Sequence, residues 1–352
     1  MRGMRRVALY VALPLVLACL AGFAWYRLSD TARGWRYEDK LAGYCKGVIP
    51  YDESAFFTDL DTAALDYTNP SFGAGLDYDI CRVANFVLAL GRIPGRALGA
   101  SENGQSIFTE IQLREWDVPP TPLGGGWHGF TSAGVTSVVL PCRNKDVSVA
   151  VSAQEIAADD PSPDRARKIA ELVTATAVNA ARRWSCEADP GGRIPDLPAT
   201  PKPSRSGAAE GTCQGVPLRG RGDLVRPIME TKTSGTAPVE GCLLGASEVP
   251  DGVRGEPRYR LYGSFGPFAQ RLRSASDEEK DGQQYSRTAG SDSFGVWASA
   301  KCPGFSARAL FTLDGTESID TVVRRNLAED LLTGFARASA ERHHCTDLRL
   351  PG

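Results

Sequence analysis

The chain has 352 residues, 42% of them hydrophobic, enough for two ordinary domains each with a core of its own. Forty basic residues against 42 acidic ones leave a net charge of −2 with no long run of either sign, which removes the electrostatic footprint of a nucleic-acid binder. Nine cysteines and three histidines, with no C-x-x-C or H-x-x-x-H spacing, argue against a zinc protein.

Residues 1–6 carry Arg2, Arg5 and Arg6, and residues 7–26 then run without a charge. As a helix, that stretch reaches ~30 Å, the thickness of a bilayer's hydrocarbon core. Trp25 and Tyr26 stand at its far end, where aromatic rings favour the interface. The spacing predicts a transmembrane anchor over 7–26, with a short cytoplasmic tail over 1–6. Everything after the anchor would lie outside. A cleaved signal peptide fits less well, since the apolar run is long and lacks an A-x-A site. A lipobox reading of Val16-Leu17-Ala18-Cys19 is weakened by the apolar run continuing past Cys19. Pro14 is tolerable within a membrane helix. Residues 27–44 read as a polar juxtamembrane stalk.

From Cys45 onward the chain repeats itself. Cys45, Cys81, Cys142 and Cys186 are matched by Cys213, Cys242, Cys302 and Cys345, with late intervals of 44 and 43 residues and middle intervals of 61 and 60. Each unit opens on a similar phrase, Cys45-Lys-Gly-Val-Ile-Pro and Cys213-Gln-Gly-Val-Pro. In the first unit, 45–188, residues 52–60 suit a short helix and 78–90 a strand through Cys81. Residues 106–116 alternate, with Ile107, Ile111 and Leu113 opposite Glu110, Gln112 and Arg114, as a half-buried strand would. Two further strands, 135–140 and 147–152, flank Cys142. A helix over 164–184 starts on Ser162 and Pro163 and carries an apolar stripe of Ile169, Leu172, Val173, Ala177, Ala180 and Trp184.

Residues 189–212 are rich in Pro and Gly and poor in apolar residues, the composition of a semi-extended linker. The second unit, 213–350, repeats the grammar. Strands are expected over 258–265, 294–300 and 306–313. A helix over 318–342 follows, striped by Ile319, Val322, Val323, Leu327, Leu331, Phe335 and Ala338. Residues 277–284, charged and without apolar residues, read as a loop. The fold class expected is therefore α+β: an N-terminal transmembrane helix and two tandem repeats, each an antiparallel sheet covered by a long C-terminal helix.

Four cysteines allow three pairings per repeat. A helix covering the strand that leaves Cys142 must run back over the sheet, returning Cys186 to where that strand began. This pairs Cys142 with Cys186 and Cys302 with Cys345, leaving Cys45 with Cys81 and Cys213 with Cys242. Such bridges require an oxidising compartment. Losing either late bridge is expected to unfold its own repeat and largely spare the other.

Catalytic signals are weak. There is no G-x-S-x-G elbow and no S-x-x-K. His343 and His344 are adjacent on a helix, about 100° apart, and chelate one ion poorly. The acidic pairs Asp159-Asp160 and Glu278-Glu279 suit solvated turns, and the Gly-rich pieces lack a strand-before, helix-after context. The loop 116–130 gathers Trp116, Trp127, His128 and Phe130 beside three glycines. A loop like this is more often a turn whose Trp packs on its own domain. If the chain binds something, this is where a recognition surface is expected.

The C-x-G-V-x-P opening, the late Cys–strand–helix–Cys unit and the single N-terminal span resemble actinobacterial membrane-anchored or lipoprotein-like envelope proteins, over most of residues 1–350. The excess of Arg over Lys fits a high-GC genome. Some small α/β lipoproteins of that group look like PsbP-type sandwiches. The group has no agreed activity, so no functional residue is carried over. The span with its flanking charges and the cysteine frame predict a single-pass protein of the cell membrane, N-terminus inside and bulk extracytoplasmic. It would act as a binding or interaction module, meeting the membrane through 7–26 and an envelope protein or ligand elsewhere. No catalytic residue, cofactor or metal ligand is identified. An envelope hydrolase and an accessory subunit of a larger membrane complex are the alternatives.

Overall fold

The computed structural model describes residues 2–65, 78–95, 107–111, 118–132, 134–156, 162–198, 201–204, 209–219, 225–245, 257–279, 285, 287–293, 295–315 and 322–352. The chain is α+β, built on two antiparallel sheets. The first has six strands: β1 (Tyr78–Val83), β2 (Phe86–Pro94), β3 (Thr121–Pro122), β4 (Gly129–Ser132), β5 (Val135–Pro141) and β6 (Val147–Glu155), in the order β1-β2-β6-β5-β4-β3. The second contains β7 (Ile228–Glu230), β8 (Val239–Leu244), β9 (Tyr259–Ser264), β10 (Gly290–Ser291), β11 (Gly295–Lys301) and β12 (Ala309–Gly315). Its order is β10-β11-β12-β9-β8-β7, with β13 (Thr346–Arg349) added beside β11. The run β1-β2-β6-β5 in one sheet is matched by β8-β9-β12-β11 in the other, each bounded by equivalent cysteines.

All four expected disulfides are formed. Cys45–Cys81, Cys142–Cys186, Cys213–Cys242 and Cys302–Cys345 have Cα separations of 5.9, 5.1, 5.0 and 4.1 Å, inside the ~7 Å limit for a bridge.

Seven α-helices accompany the sheets among the described residues: α1 (Arg2–Leu28), α2 (Asp30–Gly43), α3 (Tyr51–Thr58), α4 (Ile107–Ile111), α5 (Pro163–Arg183), α6 (Pro267–Glu279) and α7 (Val322–Arg342). Helix α5 lies across β5 and β6, and α7 across β11 and β12. Ser162 caps α5 by accepting a hydrogen bond from the Arg165 amide, with Pro163 in the first turn, as the sequence signals.

Each sheet is covered on both faces. In the first, Leu88, Leu90, Val138, Leu140, Val149 and Val151 face α5, while the alternate residues Ala89, Ile93, Val139 and Ala150 face the other way. In the second, Cys242, Leu244 and Leu261 face α7, while Val239, Leu243 and Tyr262 turn away. Those two turned-away faces meet. Phe108 and Phe130 from the first half pack edge-on against Phe268 from the second, at centroid distances of 5.7 and 5.9 Å. The Thr231 hydroxyl donates to the Pro120 carbonyl across the same seam. The layers run helix, sheet, seam, sheet, helix.

Several expected elements differ from those formed. Residues 78–90 hold a hairpin and not one strand, turning at Ala84 and Asn85 so that Val83 pairs with Phe86. Residues 107–111 form helix α4, whereas alternation predicted a strand from 106 to 116, of which 106 and 112–116 lie outside the described residues. Phe108, apolar on the side that the alternation assigns to Glu110, Gln112 and Arg114, breaks the strand pattern. Ile107, Phe108 and Ile111 are all buried in the seam, and the i, i+1, i+4 spacing is a helix face. Helix α6 continues to Glu279, so part of the charged 277–284 segment is helical, while 280–284 lie outside the described residues.

In α7, Val322 and Val323 are 74% and 79% exposed. The buried stripe begins at Ala328 and runs through Leu331, Leu332, Phe335, Ala336 and Ala340, with Ile319 outside the described residues. The stalk and the linker are both packed down. Tyr37 and Leu41 of α2 join the first core, and so do Ile194 and Leu197 of the Pro-rich segment.

Candidate functional site

Where β8 passes under the end of α7, a carboxylate is buried. Glu240 is 1% exposed and shares the helix-facing side of β8 with Cys242 and Leu244. Ser339, Arg342 and His343 stand at i, i+3 and i+4, one face at the end of α7, and all three reach it. The Ser339 hydroxyl donates to Oε2 at 2.7 Å, and Arg342 Nη2 donates to the same oxygen at 2.8 Å. His343 Nε2 lies 3.1 Å from Oε1. The His343 ring also stacks on Phe265, centroids 3.7 Å apart and 19° from parallel. Burial pushes the Glu240 carboxyl up. The hydrogen bonds and charges of His343 and Arg342 outweigh that and hold it below the ordinary carboxylate value.

The first half closes onto this corner through the loop that the sequence had marked. Gly124, Gly125 and Gly126 all have positive φ, which a side chain would resist, and they fold the chain back so that the Trp127 amide bonds the Gly124 carbonyl. Trp127 is buried in the first core, its indole donating to Gly192 of the linker at 2.7 Å. Phe130 is fully buried in the seam. His128 is half-buried and sets its ring edge-on to Phe305 of the second half, 5.7 Å away. The Thr236 hydroxyl donates to the Trp127 carbonyl. Burial lowers the His128 pKa, a hydrogen bond with the Thr236 backbone works the other way, and the charge of His343 lowers it further. Trp116 lies outside the described residues. Trp127, His128 and Phe130 therefore belong to the joint between the halves, Trp127 through its carbonyl, His128 against Phe305 and Phe130 in the seam.

Chemically the corner is closed. Ser339 donates to the carboxylate and not to the histidine, so it is not the hydroxyl of a nucleophile–base pair. Both carboxylate oxygens are already engaged. Among the described residues no group of three His, Cys, Asp or Glu side chains could hold a metal ion.

Two open grooves lie elsewhere, at equivalent places on the two halves. Each follows the outer side of the long helix, beside the loop that opens its unit. One, of about 450 Å³, is lined by Glu53, Glu171, Asn179, Arg182 and Arg193, with Trp127 on its floor. The other, of about 550 Å³, is lined by Gly215, Pro217, Thr333, Arg337 and Glu341. Both are shallow and carry charges of both signs, a surface for a polar partner more than a pocket for a cofactor.

At the N-terminus, Leu13, Leu15, Val16, Leu17, Leu20 and Phe23 of α1 are each more than half exposed. Among the described residues, no single helix is long and apolar enough to cross a membrane. Ala12–Tyr26 and Asp30–Gly47 reach that measure only together, as a pair bent by 67°. Cys19 is exposed and unbridged. Comparison with protein-family models, with curated proteins and with solved structures finds no match.

Proposed function

We propose that this chain is a membrane-anchored, extracytoplasmic binding module of a bacterial envelope, held by residues 7–26 and presenting two disulfide-framed repeats to an envelope protein or ligand. The observation that carries the reading is the exposed apolar surface of α1, where Leu13, Leu15, Val16, Leu17 and Leu20 are each more than half exposed. Taken with residues 7–11, the charge-free run reaches ~30 Å as a helix. The four disulfides support the same side of the membrane, because such bridges persist in oxidising compartments. The closed Glu240 corner favours a structural over a catalytic role for this buried polar cluster. The paired grooves supply the surfaces on which a partner would be met.

The reading is tested by topology. Protease added to intact spheroplasts is expected to remove residues 45–352 and leave a short membrane-embedded fragment. Full protection of that region, with degradation only after lysis, would place the bulk inside and end the proposal.

A further inference from the structure

Resting on the anchor reading, we infer that the first half is seated on the bilayer and not tethered above it, with Trp35 of α2 lying in the headgroup layer beside Trp25. The sequence reads residues 27–44 as a stalk, but the geometry leaves no slack. Only Ser29 separates α1 from α2, and its hydroxyl accepts from the Ala32 amide while its own amide donates to the Trp25 carbonyl. Helix α2 is fixed to the domain at its other side. Ala32, Tyr37 and Leu41 are buried, the Tyr37 ring packs edge-on to Tyr51 at 5.7 Å, and Arg33 pairs with the Asp59 carboxylate at 3.2 Å. The 67° bend between the two helical segments turns α2 towards the plane of a membrane that α1 would cross steeply.

The occupant of the exposed α2 face follows from a distance. Trp35 is 57% exposed, yet its ring lies 5.8 Å from that of Trp25, edge to face. Arg36 sets its guanidinium 4.9 Å from the Tyr26 ring centroid. Whatever depth Trp25 and Tyr26 take in the bilayer, Trp35 and Arg36 take it to within about one ring's width. A span ending at Trp25 puts those rings at the headgroup–acyl boundary, where indoles are favoured. Charges of both signs flank the site, with Arg33, Arg36 and Lys40 against Glu38 and Asp39. This composition suits a zwitterionic phospholipid surface and gives no preference for an anionic one.

The experiment uses the full chain, one copy per nanodisc, in phosphatidylcholine brominated near the top of its acyl chains, and reads tryptophan quenching. Wild type is compared with Trp25→Phe and Trp35→Phe; an exposed Trp35 makes the second substitution mild for folding. Each variant is expected to lose part of the lipid-quenched amplitude, Trp35→Phe by about a third to a half, because the two indoles share one depth. Loss in Trp25→Phe with none in Trp35→Phe would keep the anchor and overturn the seat, pointing to a second copy or another protein on α2. Absence of lipid quenching in the wild type would overturn the anchor reading and the seat with it.

Discussion

Glu240 shows what one buried charge asks of its surroundings. A carboxylate 1% exposed survives only because Arg342, His343 and Ser339 saturate it. Removing it leaves Arg342, His343 and Ser339 without their anion, so Glu240→Leu is expected to cost about 3–5 kcal/mol. Combining it with Arg342→Met should cost less than the two single changes added, and urea midpoints at pH 7 read both. Acid titration gives a second check. His128 is held below its ordinary value, so the unfolded chain takes that proton first and stability falls as pH drops below about 6.5. Glu240 is also held low, so its contribution is intact above the unfolded carboxylate value and is lost only as pH falls through its folded one. His128→Gln is expected to flatten the first decline and leave the second. None of this was legible from local sequence. Glu240 lies 99 to 103 residues from the helix end that satisfies it, and no short motif signals a pairing at that range. His343 drew notice only as half of a histidine pair, and geometry rather than composition turned it towards Glu240.

At the scale of elements, cysteine spacing was the most informative feature. It reported topology directly, since each bridge ties a strand end to the loop or helix that must return to it. The long helices were legible because Ser162-Pro163 and the 3.6-residue stripe agree. Shorter elements were not. The β1–β2 turn uses Ala84 at positive φ with Asn85, which lacks the Asn-Gly signature of a two-residue hairpin, so two strands read as one. Val322 and Val323 fitted the stripe by period but precede the turn at which α7 reaches its sheet. One glycine in that helix carries a sharp prediction. Gly→Ala within a helix ordinarily gains about 1 kcal/mol. At Gly334, however, a Cβ would stand 2.4 Å from the Gly215 carbonyl oxygen, a backbone atom of the Cys213–Pro217 opening. Contact should win over propensity, and Gly334→Ala is expected to destabilise by about 1–3 kcal/mol. A variant more stable than wild type in urea would show that the opening loop yields freely.

For the molecule as a whole, the decisive question is whether the two halves stand or fall together. Duplicated cysteine frames and a proline-rich linker suggest independence, and on that view loss of the Cys142–Cys186 bridge unfolds one half and spares the other. The seam argues otherwise. Met229, Val239, Leu243, Tyr262 and Phe268 of the second half are buried against Ile93, Ile107, Phe108, Phe130 and Val139 of the first. Unfolding the first half would bare those five side chains, at about 1.5–3 kcal/mol each and on the order of 10 kcal/mol together as an upper bound. That sum is comparable with the ~5–15 kcal/mol by which a domain is stable at all. The bridge itself, closing a 44-residue loop, is worth about 4 kcal/mol in the chain-entropy view. Replacing both Cys142 and Cys186 by alanine is therefore expected to lower the stability of the two halves in common. Calorimetry should give one transition at reduced temperature, and hydrogen exchange should quicken in β8 and β9 as well as in β5 and β6. Two separate transitions, with β8 and β9 as protected as in the wild type, would mean that the second half holds its shape with the seam face open to water, and the halves would then be independent domains in contact.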